Sequence, residues 1–175
     1  MKIILVRHGQ TDWNLKKLMQ GRTDIPLNET GKAQALEVKE KLKNERIDIC
    51  FSSPLSRTLT TAKIITDLDI IIDERLVERG VGTLEGKDSK IYKNNNYYDF
   101  KLNSNKYGVE SVKDLFARVI SFLEDIKEKY PDKTVLIVSH GAAIRAFHYV
   151  ITGYDENTNF LATKIPNCSI LEYEI

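Results

Sequence analysis

The stretch Lys2-Ile3-Ile4-Leu5-Val6-Arg7-His8-Gly9 decides how this chain folds. Ile3 to Val6 is apolar without alternation and rich in β-branched residues, which predicts a short strand buried on both faces. Strands of that kind belong to mostly parallel sheets covered by helices. The run ends abruptly at Arg7, His8 and Gly9. In open parallel sheets, ligands bind just beyond the carboxyl ends of the strands, so these three residues are the first site candidates. The apolar run is too short for a signal sequence or a membrane span, and a cytoplasmic protein with no membrane partner is expected.

Working outward, strand-like and helix-like patterns alternate. Ala35, Val38 and Leu42 recur at helical spacing between Thr30 and Asn44. Asp48–Ser52 is a second strand. Ser53-Pro54 resembles a helix start, with Ser as N-cap and Pro in the first helical position. Leu55, Leu59 and Ala62 supply that helix with an apolar face. Asp69–Asp73, with three successive isoleucines, is a third strand. Ser111, with Asp114 three positions on, opens the longest helix, whose stripe is Leu115, Val119, Phe122 and Ile126. Thr134–Val138 is a fourth strand, Ala142–Ile151 a helix closed by Gly153, and Ser169–Ile175 an alternating edge strand. The order predicts an α/β three-layer sandwich: a mostly parallel central sheet with helices on both faces.

The 175 residues fit one domain, and a chain of 20.1 kDa buries roughly 70% of its unfolded surface, so its core needs no staples. With 26 Lys+Arg against 25 Asp+Glu the net charge is +1, which excludes a strongly basic nucleic-acid binder. Cys50 and Cys168 make neither a disulfide framework nor a thiolate metal site, and read as buried free thiols in a reducing compartment. The one shift in composition is Lys87 to Lys106, rich in Lys, Asn and Tyr, where apolar periodicity fades. It is either an excursion that covers a site or a solvated surface insertion.

The strand ends bring together Arg7, His8 and Gly9; Ser52 and Ser53 with Arg57; Glu78 after a short connector; and Ser139, His140 and Gly141. Arg57 falls about 200° from Leu55 around its helix, off the core face, so its truncation is expected to leave the fold almost untouched. A cation in a first helical turn opposes the helix dipole, unless an anion lies between the two. His8 and His140 occupy equivalent strand-end positions, each followed by Gly. Taken singly, a His near a strand end is more often a satisfied polar residue than a catalyst, but two in equivalent positions shift that balance. His148 lies within a helix with no charged partner in sequence. Two His and a Glu also suggest a metal, but no His-x-His, His-Glu-x-x-His or Asp cluster is present, and Arg7 repels a cation. A phosphate-like anion matches the nitrogen-rich set better.

These residues resemble the histidine phosphatase superfamily, the phosphoglycerate mutase-like fold, over nearly the whole chain. Leu5-Val6-Arg7-His8-Gly9-Gln10-Thr11 with Trp13-Asn14 is similar to its signature. Gln20-Gly21, Asp24, Pro26-Leu27, and Gly31 with Gln34-Ala35 follow its pattern. Ser52-Ser53-Pro54-Leu55 leading to Arg57-Thr58 and Thr61-Ala62 is similar to the second signature. Leu76, Glu78, Gly82 and Glu85-Gly86 resemble the acid-bearing loop, and Val138-Ser139-His140-Gly141 the closing motif. The resemblance implies phosphoryl transfer without metal or organic cofactor. His8 would be the nucleophile, with Arg7, Arg57 and His140 neutralising the nonbridging oxygens. Glu78 would be the acid and then the base, and Asn14, Gln20 and Gly21 would line the pocket. The partner implied is a small phosphorylated metabolite, for a monomer or homodimer.

Two departures bear on substrate. Leu84 stands where the family commonly has Trp before Glu-Gly, and the cap-like insertion around 87–110 is short for a mutase. A phosphomonoester phosphatase is therefore expected. The alternatives are a phosphoglycerate mutase or other bisphosphate-processing phosphotransferase, and a non-catalytic phosphate-binding module, which would need the cations but not Glu78.

Overall fold

A computed structural model describes residues 1–93 and 106–175. The expected excursion therefore lies largely outside the described residues, including Asn94, Asn95, Asn96, Tyr97, Tyr98 and Lys101. The architecture is the predicted sandwich. Strand β1 (Lys2–Arg7) leads through the single turn α1 (Asp12–Leu15) to helix α2 (Glu29–Leu42), and β2 (Ile49–Ser52) to α3 (Ser56–Ile65). After β3 (Ile70–Ile72) come the short helix α4 (Lys90–Lys93), α5 (Val112–Lys129), β4 (Thr134–Ser139), α6 (Gly141–Thr152) and β5 (Ile170–Glu174). The sheet order is β3-β2-β4-β1-β5, with β5 antiparallel to β1 and the other pairs parallel. Among the described residues, no helix is long and apolar enough to cross a membrane.

Period-two alternation divides the strands between two cores. Ile3, Leu5, Val135 and Ile137 face α5 and α6 through Leu115, Val119, Phe122, Ala143 and Phe147. Ile4, Val6, Leu136 and Val138 face α2 and α3 through Val38, Leu42, Ala62 and Ile65. Each of the Val, Leu, Ile and Phe side chains among them contributes about 1.5–3 kcal/mol on burial. Continuous apolar strands follow from this arrangement, because both faces are dry.

The register positions the site. Arg7 lies opposite Ser139, and Ser52 opposite Val138, so β1, β4 and β2 end side by side. His8, His140 and Ser53 are the next residues along and share one rim. Gly9 allows a tight neighbour there: a Cβ on it would sit 2.3 Å from the Gly31 carbonyl oxygen, and one on Gly31 would sit 2.1 Å from that of Gln10. Absent side chains at Gly9 and Gly31 thus let the first turn of α2 press against the loop after β1.

Two helix starts differ in outcome. Ser111 caps α5 as expected, accepting from Asp114 N at 3.0 Å. Ser53 does not cap α3, which begins three residues later at Ser56. Asp24, from a distant loop, accepts from Ser56 N at 2.8 Å and from its hydroxyl at 2.7 Å. The Ser53 hydroxyl is held by His140 instead.

Candidate active site

A cleft of about 280 Å³ opens over the ends of β1, β2 and β4, with Arg7, His8, Asn14, Gln20, Gly21, Arg57 and Glu78 in its wall. His140 stands behind them. Four of the five rim residues expected from sequence therefore border one space. Among the described lining residues Glu78 is the single carboxylate.

His8 is buried, and its Nδ1 lies 2.7 Å from the carbonyl oxygen of Gly9. A carbonyl only accepts, so Nδ1 carries the proton and Nε2 keeps its lone pair. Burial first, then the charges of Arg7 and Arg57, hold the ring well below the usual histidine range of about 6.5. His8 is thus a neutral base at neutral pH.

Arg57 overturns the expectation of a residue the fold ignores. It is fully enclosed, and three of its donors are committed: Nη2 to Gly21 O at 2.8 Å, Nη1 to Thr23 O at 2.8 Å, and Nε to His140 Nδ1 at 3.2 Å. The face that α3 buries is Arg57, Thr58, Thr61, Ala62 and Ile65, whereas Leu55 and Leu59 of the expected apolar face are only partly buried, so Arg57 lies on the inward side of the helix. What covers that position is the loop 21–23, which no helical period reveals. Of five guanidinium N–H groups, one on each terminal nitrogen remains, at the cleft wall. Arg7 donates from Nη1 to Ile165 O, and its Nε is buried with no hydrogen-bond partner among the described residues. Burial pushes the Arg7 guanidinium down to about 10, so it stays a cation at neutral pH.

His140 accepts from Arg57 at Nδ1, so its Nε2 holds the proton and donates to Ser53 Oγ at 2.9 Å. Burial and then the Arg57 charge lower its proton affinity well below the usual range. Its ring meets that of His8 edge-on at 5.2 Å between centroids. In this arrangement His140 braces Arg57 and His8 and does not line the cleft.

Glu78 is held from two sides. Its carboxylate accepts from Ala142 N at 3.1 Å and Ala143 N at 3.4 Å, in the first turn of α6, and from Arg79 N at 2.8 Å. The Ser139 hydroxyl bonds to Leu76 O at 2.8 Å and ties that loop to the end of β4. The neighbouring glutamates Glu85 and Glu110 serve the scaffold. Glu85 accepts from Arg22 N and the Thr23 hydroxyl, and Glu110 pairs with Arg118 and Arg22. A Cβ on Gly21, which has φ +51°, would sit 2.3 Å from a Glu85 carboxylate oxygen. Glu85 therefore shapes the loop whose carbonyls hold Arg57.

Asn14 and Gln20 are turned by their oxygens. Asn14 Oδ1 accepts from Thr11 N at 3.1 Å, and Gln20 Oε1 from the Thr11 hydroxyl at 3.0 Å. The sequence does not single out Arg79, Arg145, Leu18, Met19, Val81, Ser89 or Leu161, which with Gly141 and Ala142 complete the lining. Arg145 was accessible to it, since a residue four positions after Gly141 shares its helix face. The start of the Lys-rich segment does reach the cleft. Residues 86–89 run beside 17–19, with Met19 N bonded to Lys87 O and Ser89 N to Lys17 O, both at 2.9 Å. Among the described residues, no cluster of three or more His, Cys, Asp or Glu is arranged to hold a metal ion.

Two buried neutral imidazoles link folding to pH. The unfolded chain takes up protons at His8 and His140 below about pH 6.5, whereas the folded chain resists them. Stability is therefore full above that pH and falls as pH drops below it, by about 1.4 kcal/mol per pH unit for each imidazole. Denaturation in phosphate-free buffer between pH 7.5 and 5 should show this decline. A flat profile there would mean that both rings take up protons in the folded protein as readily as in the unfolded chain.

A family model of the histidine phosphatase superfamily (branch 1) matches residues 3–175. The Bacillus subtilis (strain 168) protein described as uncharacterized phosphatase PhoE is 38% identical, across 98% of this chain and 87% of its own. The probable phosphoglycerate mutase GpmB of Escherichia coli is 35% identical, across 97% and 83%. A crystal structure of phosphoserine phosphatase from Entamoeba histolytica, in complex with 3-phosphoglyceric acid, superposes with a TM-score of 0.85 at 33% identity, across 98% and 89%. The chain belongs to branch 1 of the histidine phosphatase superfamily and is a phosphoric monoester hydrolase.

Proposed function

We propose that this enzyme hydrolyses a small phosphorylated metabolite in the cytoplasm through a phosphohistidine on His8. One observation carries the reading: Gly9 O holds the His8 proton on Nδ1, which leaves a neutral Nε2 lone pair in a cleft bordered by Arg7, Arg57 and Glu78.

Nε2 of His8 attacks phosphorus and the bond to the ester oxygen breaks, while Glu78 gives that oxygen its proton and the alcohol leaves. The remaining N–H groups of Arg57 and the unpartnered Nε of Arg7 meet the equatorial oxygens, where charge spreads in phosphoryl transfer. Glu78, now a carboxylate, takes a proton from water as its oxygen attacks phosphorus and the P–N bond breaks. Phosphate leaves, and both residues return to their starting forms. The side-chain cations supply the charge that a metal ion would otherwise supply.

Arg145 points to the kind of metabolite. It lies on α6 in the same cleft wall and is anchored through Nε to Thr163 O at 2.8 Å. A substrate with a carboxylate near its phosphate, as in phosphoserine or 3-phosphoglycerate, suits this second cation. Phospho-His8 handing its group to water makes a phosphatase, and handing it to a second hydroxyl makes a mutase. The short insertion after Gly86 favours water.

Glu78→Gln separates nucleophile from acid. With an alkyl phosphate, formation of phospho-His8 should slow by about 10²–10⁴-fold, because the alkoxide leaves poorly without a proton. With p-nitrophenyl phosphate it should proceed and phospho-His8 should accumulate, since water still lacks its base. Equal slowing of phosphorylation with both substrates would remove Glu78 from the donor role.

Arg57→Ala should weaken inhibition by inorganic phosphate and destabilise the fold by about 2–5 kcal/mol, because two carbonyls and His140 lose a buried partner. Phosphate inhibition and urea denaturation measure the two effects, and an unchanged midpoint would contradict the enclosed geometry.

Arg145→Ala should lower kcat/KM for phosphoserine or 3-phosphoglycerate by about 10–100-fold, the value of one charge-assisted contact, and leave p-nitrophenyl phosphate nearly unaffected. A uniform loss across all substrates would refute the carboxylate contact.

A further inference from the structure

The loop before β5 enters the site from the far end of the chain. Cys168 N donates to Arg7 O at 3.1 Å and to His8 O at 3.3 Å, which seats the loop on the turn after β1. The side-chain amide of the preceding residue, Asn167, then reaches three acceptors: His8 O at 3.0 Å, Gly9 O at 3.2 Å and Asn14 Oδ1 at 3.2 Å. Two of these govern groups that face the cleft. Gly9 O is the acceptor of His8 Nδ1–H, so the direction of that carbonyl sets both the ring plane and the tautomer. Asn14 Oδ1 also takes Thr11 N, so both donors draw the oxygen inward and present Nδ2 to the cleft.

We propose that Asn167 is a positioning residue that locks His8 in its Nδ1–H tautomer through Gly9 O and turns the Asn14 amide donor toward the phosphate. Asn167 does not touch the reacting atoms. An Asn is suited to the task because its NH₂ supplies two hydrogens from one planar group to oxygens lying close together. A hydroxyl has one hydrogen, and a Lys would place a further charge behind the nucleophile. The second carbonyl lone pair is what permits this: Gly9 O receives the ring from one side and the amide from the other. Imidazole tautomers lie close in energy, and the hydrogen bond at one nitrogen decides which form is present. Without the amide the Gly9 carbonyl is free to swing, and the Nε2–H form, which has no lone pair toward phosphorus, gains population.

The proposal rests on His8 being the nucleophile, and its test separates the two ideas. In protein carrying ¹⁵N-histidine, the wild-type His8 should show a protonated Nδ1 and an unprotonated Nε2 at neutral pH. In Asn167→Ala and in Asn167→Leu, which keeps the volume without donors, both nitrogens should move toward averaged positions. Phospho-His8 formation from p-nitrophenyl phosphate should slow by about 10–100-fold, the usual effect of a loosened reacting group. Asn167→Gln, which keeps the amide, should retain more of the rate than Asn167→Leu. An Nε2–H tautomer in the wild type would overturn the proposal whatever the variants do. So would variants that lose thermal stability but keep the wild-type tautomer and phosphorylation rate. Absence of phospho-His8 in a wild type with the expected tautomer would count against the nucleophile and leave the positioning intact.

Discussion

The fully enclosed guanidinium of Arg57 is the constraint around which this site is assembled. A buried cation is costly unless its donors are met, and here they are met by two carbonyls of one loop and an imidazole just past the end of β4. Each partner is in turn held by something else. Glu85 fixes the loop by accepting from Arg22 N and the Thr23 hydroxyl, Ser53 holds the far side of His140, and Asp24 meets the first helical N–H at Ser56. Residues from four chain segments therefore have one low-energy arrangement, and that arrangement aims the remaining Arg57 donors at the cleft.

The same burial that makes Arg57 costly makes His8 useful. A ring removed from water, between two guanidinium groups, is driven to the neutral form, and neutrality is what a nitrogen nucleophile needs. The cations thus act before any substrate arrives. In the substrate complex they meet the phosphate charge instead, so one set of arginines favours the lone pair first and the transferring group second.

Much of this was legible in the sequence, for an identifiable reason. The strands are short continuous apolar runs, the helices carry apolar residues at regular spacing, and both patterns are local. Residues just past the strand ends follow from them, which is why Arg7, His8, Glu78 and the His140 motif were found. What could not be read depends on contacts between distant segments. Asp24 displaces Ser53 as the partner of the α3 start from 32 residues away. Asn167 reaches His8 O across 159 positions, with no periodicity to announce it. The burial of Arg57 depends on a loop whose path is set by Glu85. Helical phase sets Arg57 opposite Leu55, but the face that α3 buries is Arg57, Thr58, Thr61, Ala62 and Ile65, and phase cannot tell solvent from a covering loop.

How the arginines are held separates scaffold from site. Arg22 and Arg118 pair with Glu110, Arg46 with Asp48, and Arg75 with Asp73 and Asp125. None of these lines the cleft, and in each the charge is cancelled by a carboxylate. Arg7, Arg57, Arg79 and Arg145 do line it, and each donates to carbonyl oxygens: Ile165 O, Gly21 O with Thr23 O, Glu110 O, and Thr163 O. A carbonyl fixes a guanidinium in place while leaving its net charge intact, whereas a carboxylate fixes it and neutralises it. A chain with nearly balanced charge can therefore keep a strongly positive cleft by choosing which anchor each arginine receives. The choice also explains why composition was silent about the ligand. The formal charge counts all eight arginines alike, while the field in the cleft depends on the few whose partners are dipoles rather than ions.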